Sequence, residues 1–241
     1  MKKTNAILLS TPYILWMVVF TLIPLGVVCF YALTDAAGNF TWNNLLSLQA
    51  YLPVLWQSIL YSFAAACICL LLGYPVAYYI SHRSAVTQKI LYMLIMLPMC
   101  MSFLLRTLAW VGLLQDTGII NDLLAALGLP RLQLIRTPGA VILGMVYNYL
   151  PYMILPLSIP GILSGMTMVF VPAVSTFYIS QKLGNPMDTV LIGDIIERLF
   201  KQANNPNLGA ALSLVLMALV FLCTGIINRF GGNDEEGGVI V

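Results

Sequence analysis

The 241-residue sequence predicts an all-α integral membrane protein of about six transmembrane helices. Three observations predict it. Hydrophobic residues make up 60% of the chain and charged residues only 8%, where a soluble domain carries roughly 25% charged residues. Six apolar runs come close to or exceed the roughly 20 residues that a helix needs to cross the hydrocarbon core. Those runs are continuous rather than alternating. That favours helices over a barrel, the other structure that satisfies its backbone in lipid.

The elements follow in order. The first span, residues 11–33, comes after Lys2 and Lys3. Its apolar stretch exceeds the roughly 7–15 residues of a signal-peptide core, so an uncleaved helix is expected. The second span, 54–80, contains Gly73 and Pro75, and a short turn with His82, Arg83 and Lys89 leads to the third, 90–114. The third span contains Pro98 and Arg106. Gly118 to Gly128 then places Ile119, Ile120, Leu123, Leu124 and Leu127 on one face of an amphipathic segment. The fourth and fifth spans, 139–157 and 161–179, are separated only by a tight link around Ser158 to Pro160. A second amphipathic segment, Thr189 to Gln202, gathers Leu191, Ile192, Ile195, Ile196 and Leu199. Its polar face offers Asp194–Arg198 and Glu197–Lys201 at i,i+4. That segment reads either as a helix resting on the membrane surface or as an acidic receiver for a cationic substrate. The sixth span, 208–228, is followed by a short polar tail, 231–241, expected in the cytoplasm together with the N-terminus.

Charge decides little about orientation. With an inside N-terminus, Lys2, Lys3, Arg83, Lys89 and Arg229 are inside, and Arg131, Arg136, Lys182, Arg198 and Lys201 are outside. The usual excess of inside Lys and Arg is missing. A net charge of +2 does not point to nucleic acid. The five cysteines sit in apolar runs without metal or redox spacing, and the single histidine stands at a helix end, so no metal site is expected. No phosphate-binding loop occurs, so the chain does not hydrolyse ATP itself and needs no cofactor of its own. Away from their ends the spans hold no Asp, Glu, Lys or His, and Arg106 is the exception. A proton-coupled transporter places a carboxylate there. A pore, a structural subunit, or a permease driven by a separate ATPase remain.

Specific strings narrow this choice. Leu71 to Tyr79 (LLGYPVAYY) resembles the second conserved helix of type I ABC import permeases. Leu97 to Trp110 (LPMCMSFLLRTLAW) is similar to the L-P-x-x-x-S-x-L-x-R-T-x-A-W run of polyamine permeases. So are Tyr147 to Leu157 (YNYLPYMILPL), Pro172 to Ser180 (PAVSTFYIS) and Ile192 to Glu197 (IGDIIE). The matches keep their order from about residue 10 to about residue 230. The chain thus resembles the permease subunits of spermidine/putrescine ABC importers, with related permeases carrying ferric iron or other small solutes.

The resemblance implies the type I ABC importer permease fold in a bacterial plasma membrane. It implies a second permease subunit, two ATPase subunits carrying ATP and Mg, and an external substrate-binding protein. Trp110, Tyr147, Asn148, Tyr149, Asp194 and Glu197 are the expected substrate-path residues, because aromatic faces and carboxylates suit a small polycation. Gly73, Pro75, Pro98, Arg106 and Pro151 are the expected structural or gating residues.

One departure is large. Members of this family carry an E-A-A…G cytoplasmic segment between two spans, which docks into the ATPase. Here no such string exists, and no acidic residue lies between Asp122 and Asp188. Leu155-Pro156-Leu157 runs directly into Ser158-Ile159-Pro160-Gly161, as though one L-P-L served both ends of a deleted segment. The coupling element is therefore expected to be absent near Leu157 and Ser158, giving a shortened fourth connection. An inactive permease remnant or non-transporting membrane partner is the alternative that this gap supports.

Overall fold

The computed structural model describes residues 12–13, 15–35, 37–154, 159–203 and 205–231. Among them the secondary structure is helical, with only an isolated bridge between Thr34 and Phe40. Four helical stretches are long and apolar enough to cross a membrane: Leu15–Ala32, Asn43–Ser81, Phe103–Ala126 (which includes a turn at Gln115 to Gly118) and Pro206–Ile227. Residues 11 and 14 of the expected first span, the last three of the fourth and the tail beyond Gly231 lie outside the described residues.

The helices are α1 (Leu15–Ala32), α2 (Leu52–Ser81), α3 (Ala85–Met96), α4 (Phe103–Leu114), α5 (Ile119–Ala126), α6 (Pro138–Ile154), α7 (Ile159–Ser175), α8 (Tyr178–Leu183), α9 (Ile192–Lys201) and α10 (Pro206–Gly231). Two compact units divide them: Met1–Tyr51 with Ile196–Met217, and Leu52–Ile195 with Ala218–Val241.

In the first unit, α1 carries a π-turn at Val18–Leu22. Pro24 follows it and has no N–H to return to the preceding turn, so the wider turn sits where the ladder is already incomplete. The C-terminus of α1 exposes orphan carbonyls, and two asparagines meet them. Asn44 Nδ2 donates to the carbonyls of Ala32 (3.2 Å) and Thr34 (2.8 Å). Buried Asn207 donates to those of Tyr31 (3.1 Å) and Thr34 (2.6 Å). Gly209 lets α10 pass close over the Phe200 ring.

In the second unit α2 is the hub, packed on both α6 and α7, which also pack on each other. Its buried face runs Ser58, Ser62, Ala65, Ala66, Cys69, Gly73, Ala77 and Ile80. Small side chains at three- and four-residue spacing let membrane helices approach closely. Cys69 accordingly lies 3.7 Å from the Val146 carbonyl, and a Cβ on Gly73 would sit 3.1 Å from the Met153 side chain. At the end of this face Ala77 and Ile80 cluster with Ile154. Rising numbers on α2 thus meet rising numbers on α6, so the two helices run parallel. Gly144 faces Ile179 and Leu183, while Tyr149 faces Pro172. There the numbers run oppositely, so α7 and α8 are antiparallel to α6.

Two of the six expected spans are not single helices. The third begins earlier than its apolar run, at Ala85, where Ser84 caps α3. It then passes through a 3₁₀ turn at Leu97–Cys100 led by Pro98, and is broken by extended backbone at Met101 and Ser102. The fifth starts at Ile159 and is broken at Thr176 and Phe177. Hydropathy sees an uninterrupted apolar run in both places. The proline in each, Pro98 or Pro172, removes a backbone donor a few residues before the break.

Both amphipathic segments are helical, but neither simply lies flat. In α5, Ile120 and Leu124 turn inward while Ile119, Leu123 and Leu127 are exposed. Buried Asn121 holds the loop, donating to the Leu132 carbonyl (2.9 Å) and accepting from its N–H (2.9 Å). In α9 and the residue before it, Leu191, Ile192 and Leu199 are buried in protein. The expected Glu197–Lys201 pair forms at 2.7 Å.

Candidate functional site

The two helix breaks meet. The Phe103 ring at the start of α4 lies 6.3 Å from the Tyr178 ring at the start of α8. Between them opens a groove of about 320 Å³, lined by Phe103, Leu104, Tyr149 and the run Ser175 to Tyr178. Interrupted helices of this kind are tolerated at membrane depth only where protein or a cavity surrounds the backbone.

The broken backbone of α7 is locally repaired. In a continuous helix the Thr176 N–H would bond to the Pro172 carbonyl. It bonds to Ala173 instead, at 3.3 Å. The freed Pro172 carbonyl accepts from the Tyr149 hydroxyl and from Ser175 Oγ, both at 3.3 Å. Gly193 of α9 packs against the same break, since a Cβ there would stand 2.5 Å from the Ser175 oxygen and 2.9 Å from that of Thr176. The C-terminal end of α7, which carries partial negative charge, therefore forms one wall of an aromatic groove.

The residues singled out from sequence fall in different places. Tyr149 lines the groove and is buried. Tyr147 is two residues away, points to another side of α6, is partly exposed and meets half-buried Trp110 edge-on at 5.4 Å. The two tyrosines do not form one aromatic surface. Asn148 is buried, and its Nδ2 donates to the Gly144 carbonyl at 2.8 Å while its Oδ1 has no partner. Asp194 is not an exposed receiver: it is 1% accessible and accepts from Gln181 Nε2 at 2.7 Å. Glu197 accepts from Lys201. Gly73 and Pro151 are buried in the α2–α6 contact region, whereas Pro75 lies on the exposed side of α2. Leu157 and Ser158 lie outside the described residues. His82 rests on the Tyr78 ring at 4.4 Å, and no metal-binding cluster occurs among the described residues.

Arg106 is the least expected. It is 9% accessible rather than reaching for the interface, and its Nε and Nη1 are sealed from solvent without any acceptor. It stands one helical turn after the groove residue Phe103, on the same side of α4. Phe103, Thr176, Phe177 and Tyr178 emerge as groove residues only from the fold. The sequence signals for them are the S-T-F-Y string following Pro172 and, for Phe103, the Leu97 to Trp110 string.

With this geometry in place, comparison with known proteins is informative. The chain is 31% identical to the spermidine/putrescine transport system permease protein PotB of Haemophilus influenzae, covering 95% of this chain and 93% of that one. It is 28% identical to the protein of the same name in Escherichia coli K12, covering 86% and 90%. No protein-family model matches. Among solved structures, a bacterial ABC transporter that imports the acidic polysaccharide alginate shares the fold, with a TM-score of 0.69, 16% identity and coverage of 96% and 97%. The alignment with the Haemophilus protein runs over 272 positions, whereas 95% of 241 residues is about 229, so about 43 positions there have no counterpart here. The Escherichia coli alignment gives the same shortfall, 250 positions against about 207 residues.

Proposed function

The chain belongs to the family of spermidine/putrescine transport system permeases, and from that premise we propose that it forms one transmembrane half of a polyamine importer. The observation that carries the reading is the groove at the two helix breaks. Phe103, Tyr149, Phe177 and Tyr178 offer aromatic faces beside a helix C-terminus. Ammonium groups gain roughly 0.5–2 kcal/mol over such faces, and the carbonyl end of a half-helix favours the same charge. Trp110 and Tyr147 form a separate aromatic pair on another side of α6.

In this reading the N- and C-termini are cytoplasmic and the protein sits in the inner membrane. A second permease completes the path, two ATPase subunits bind ATP and Mg, and an external protein delivers substrate. An alginate importer of the same fold has been solved with a periplasmic protein bound to alginate pentasaccharide, which supports the last assignment by analogy. The permease itself does no chemistry. It alternates access while ATP binding and hydrolysis shift the two states.

A second reading, a permease remnant that no longer couples, has its own observation. Only four residues separate Ile154 from Ile159 in the sequence, and four residues reach at most about 14 Å, too few to hold a docking helix. The positions missing relative to the Haemophilus protein are, in this reading, the coupling segment. Spermidine uptake by the assembled importer, with a coupling segment grafted between Ile154 and Ile159, tests the groove. Phe177→Ala and Tyr178→Ala are each expected to lower uptake about tenfold. Unchanged uptake in both would remove the groove from the path.

A further inference from the structure

Arg106 poses a problem that the described residues do not solve. A guanidinium is always charged, and ionisable groups at membrane depth pair with one another or with backbone carbonyls. Two of its nitrogens, Nε and Nη1, are closed to solvent and reach no acceptor. The two carboxylates of α9 are engaged: Asp194 accepts from Gln181, and Glu197 from Lys201. Neither lies within α2, α4, α6, α7 or α8, whose described residues carry no Asp or Glu.

The groove has the complementary problem. Its lining residues carry no formal negative charge, although a polycation is to pass. Arg106 stands one helical turn from the groove residue Phe103, on the same side of α4. A bare guanidinium at this wall repels the cargo. Both deficits vanish if one anionic group enters from outside the chain. A lipid headgroup is poorly placed for this. Arg106 lies eight residues, or about 12 Å at 1.5 Å per residue, from the Leu114 end of α4, and it is enclosed by protein.

We propose that a carboxylate on a membrane helix of the companion permease reaches the groove and pairs with Arg106. The planar fork of Arg suits a bidentate carboxylate. The pair neutralises the wall in the resting pore. With its charge balanced in this way, the wall no longer repels an incoming ammonium group. The inference rests on the polyamine-permease reading, because that reading provides the companion subunit.

The test is co-purification of the two permeases in detergent. Wild type, Arg106→Met and Arg106→Lys are compared, alongside Asp→Asn and Glu→Gln replacements in the companion's membrane helices. Arg106→Met is expected to recover at least about tenfold less companion, while Arg106→Lys keeps most of it. One companion replacement is expected to match that loss, and combining it with Arg106→Met is expected to be no worse than either alone, the non-additivity of a direct pair. Equal recovery with Arg106→Met would overturn the pairing and leave the permease reading standing. Loss with Arg106→Met that no companion carboxylate reproduces would overturn it in favour of a purely structural arginine. Wild type that fails to recover any companion would overturn the permease reading itself, and the pairing with it.

Discussion

Replacing Gly193 by alanine probes how tightly α9 closes over the broken fifth span. A Cβ at this position would stand 2.5 Å from the Ser175 oxygen, 2.9 Å from the Thr176 oxygen and 3.0 Å from the Ser175 carbonyl carbon. All three are backbone atoms, so no side chain can swing aside. Either α9 lifts or the break shifts, and overpacking of this kind costs about 1–3 kcal/mol. Gly112 is the internal control. It lies in α4, and a Cβ there would meet nothing within 4 Å. Gly→Ala in an open helical position gains up to about 1 kcal/mol. For a chain of this size 1 kcal/mol moves Tm by about 2–4 °C. Thermal unfolding in one detergent is therefore expected to fall by about 2–12 °C for Gly193→Ala, and to hold or rise slightly for Gly112→Ala. If Gly193→Ala melts at or above the wild-type temperature, α9 does not pack on the Ser175–Thr176 carbonyls as described.

Three further outcomes are expected. Tyr149→Phe removes one of two donors to the Pro172 carbonyl while Ser175 Oγ remains, so the loss should be about 0.5–1.5 kcal/mol; a neutral result in the same melting assay would mean that the hydroxyl does not brace the break. Cysteine placed at Phe177 or Leu104, both exposed, should react with an external thiol reagent in a cysteine-free background. Cysteine at Asp194, 1% accessible, should stay protected, and the reverse pattern would contradict the packing of α9. The unaltered chain should retain its ATPase poorly in pull-downs and give no stimulation of ATP hydrolysis by substrate-loaded binding protein; normal retention and stimulation would show that four residues suffice for coupling.

Much of the fold was legible because membrane insertion depends on apolar length, and α1, α2 and α10 occupy three of the runs expected from it. Continuity was not legible. Met101–Ser102 and Thr176–Phe177 sit inside apolar stretches, and hydropathy averages across an unwound pair of residues without registering it. Pro98 and Pro172 marked the neighbourhoods but not the breaks themselves, since Pro75 and Pro151 sit in unbroken helices. Tyr147 and Tyr149 both suited a cationic path by chemistry. Two residues on a helix are about 200° apart at 3.6 residues per turn, so only one of them could reach the groove. The burial of Asp194 depends on Gln181, thirteen residues away across a turn, a contact that no local pattern encodes. That Nε and Nη1 of Arg106 are buried without an acceptor among the described residues is revealed only by packing.

The measurement that bears most directly on the proposed function is ATP-dependent uptake of labelled spermidine into vesicles. The importer is assembled once with the chain unaltered and once with a coupling segment restored between α6 and α7. Uptake is expected with the restored chain and little or none with the unaltered one. Equal uptake by both would contradict the assigned gap. No spermidine uptake by the restored importer, with accumulation of another solute such as ferric iron, would contradict the polyamine path.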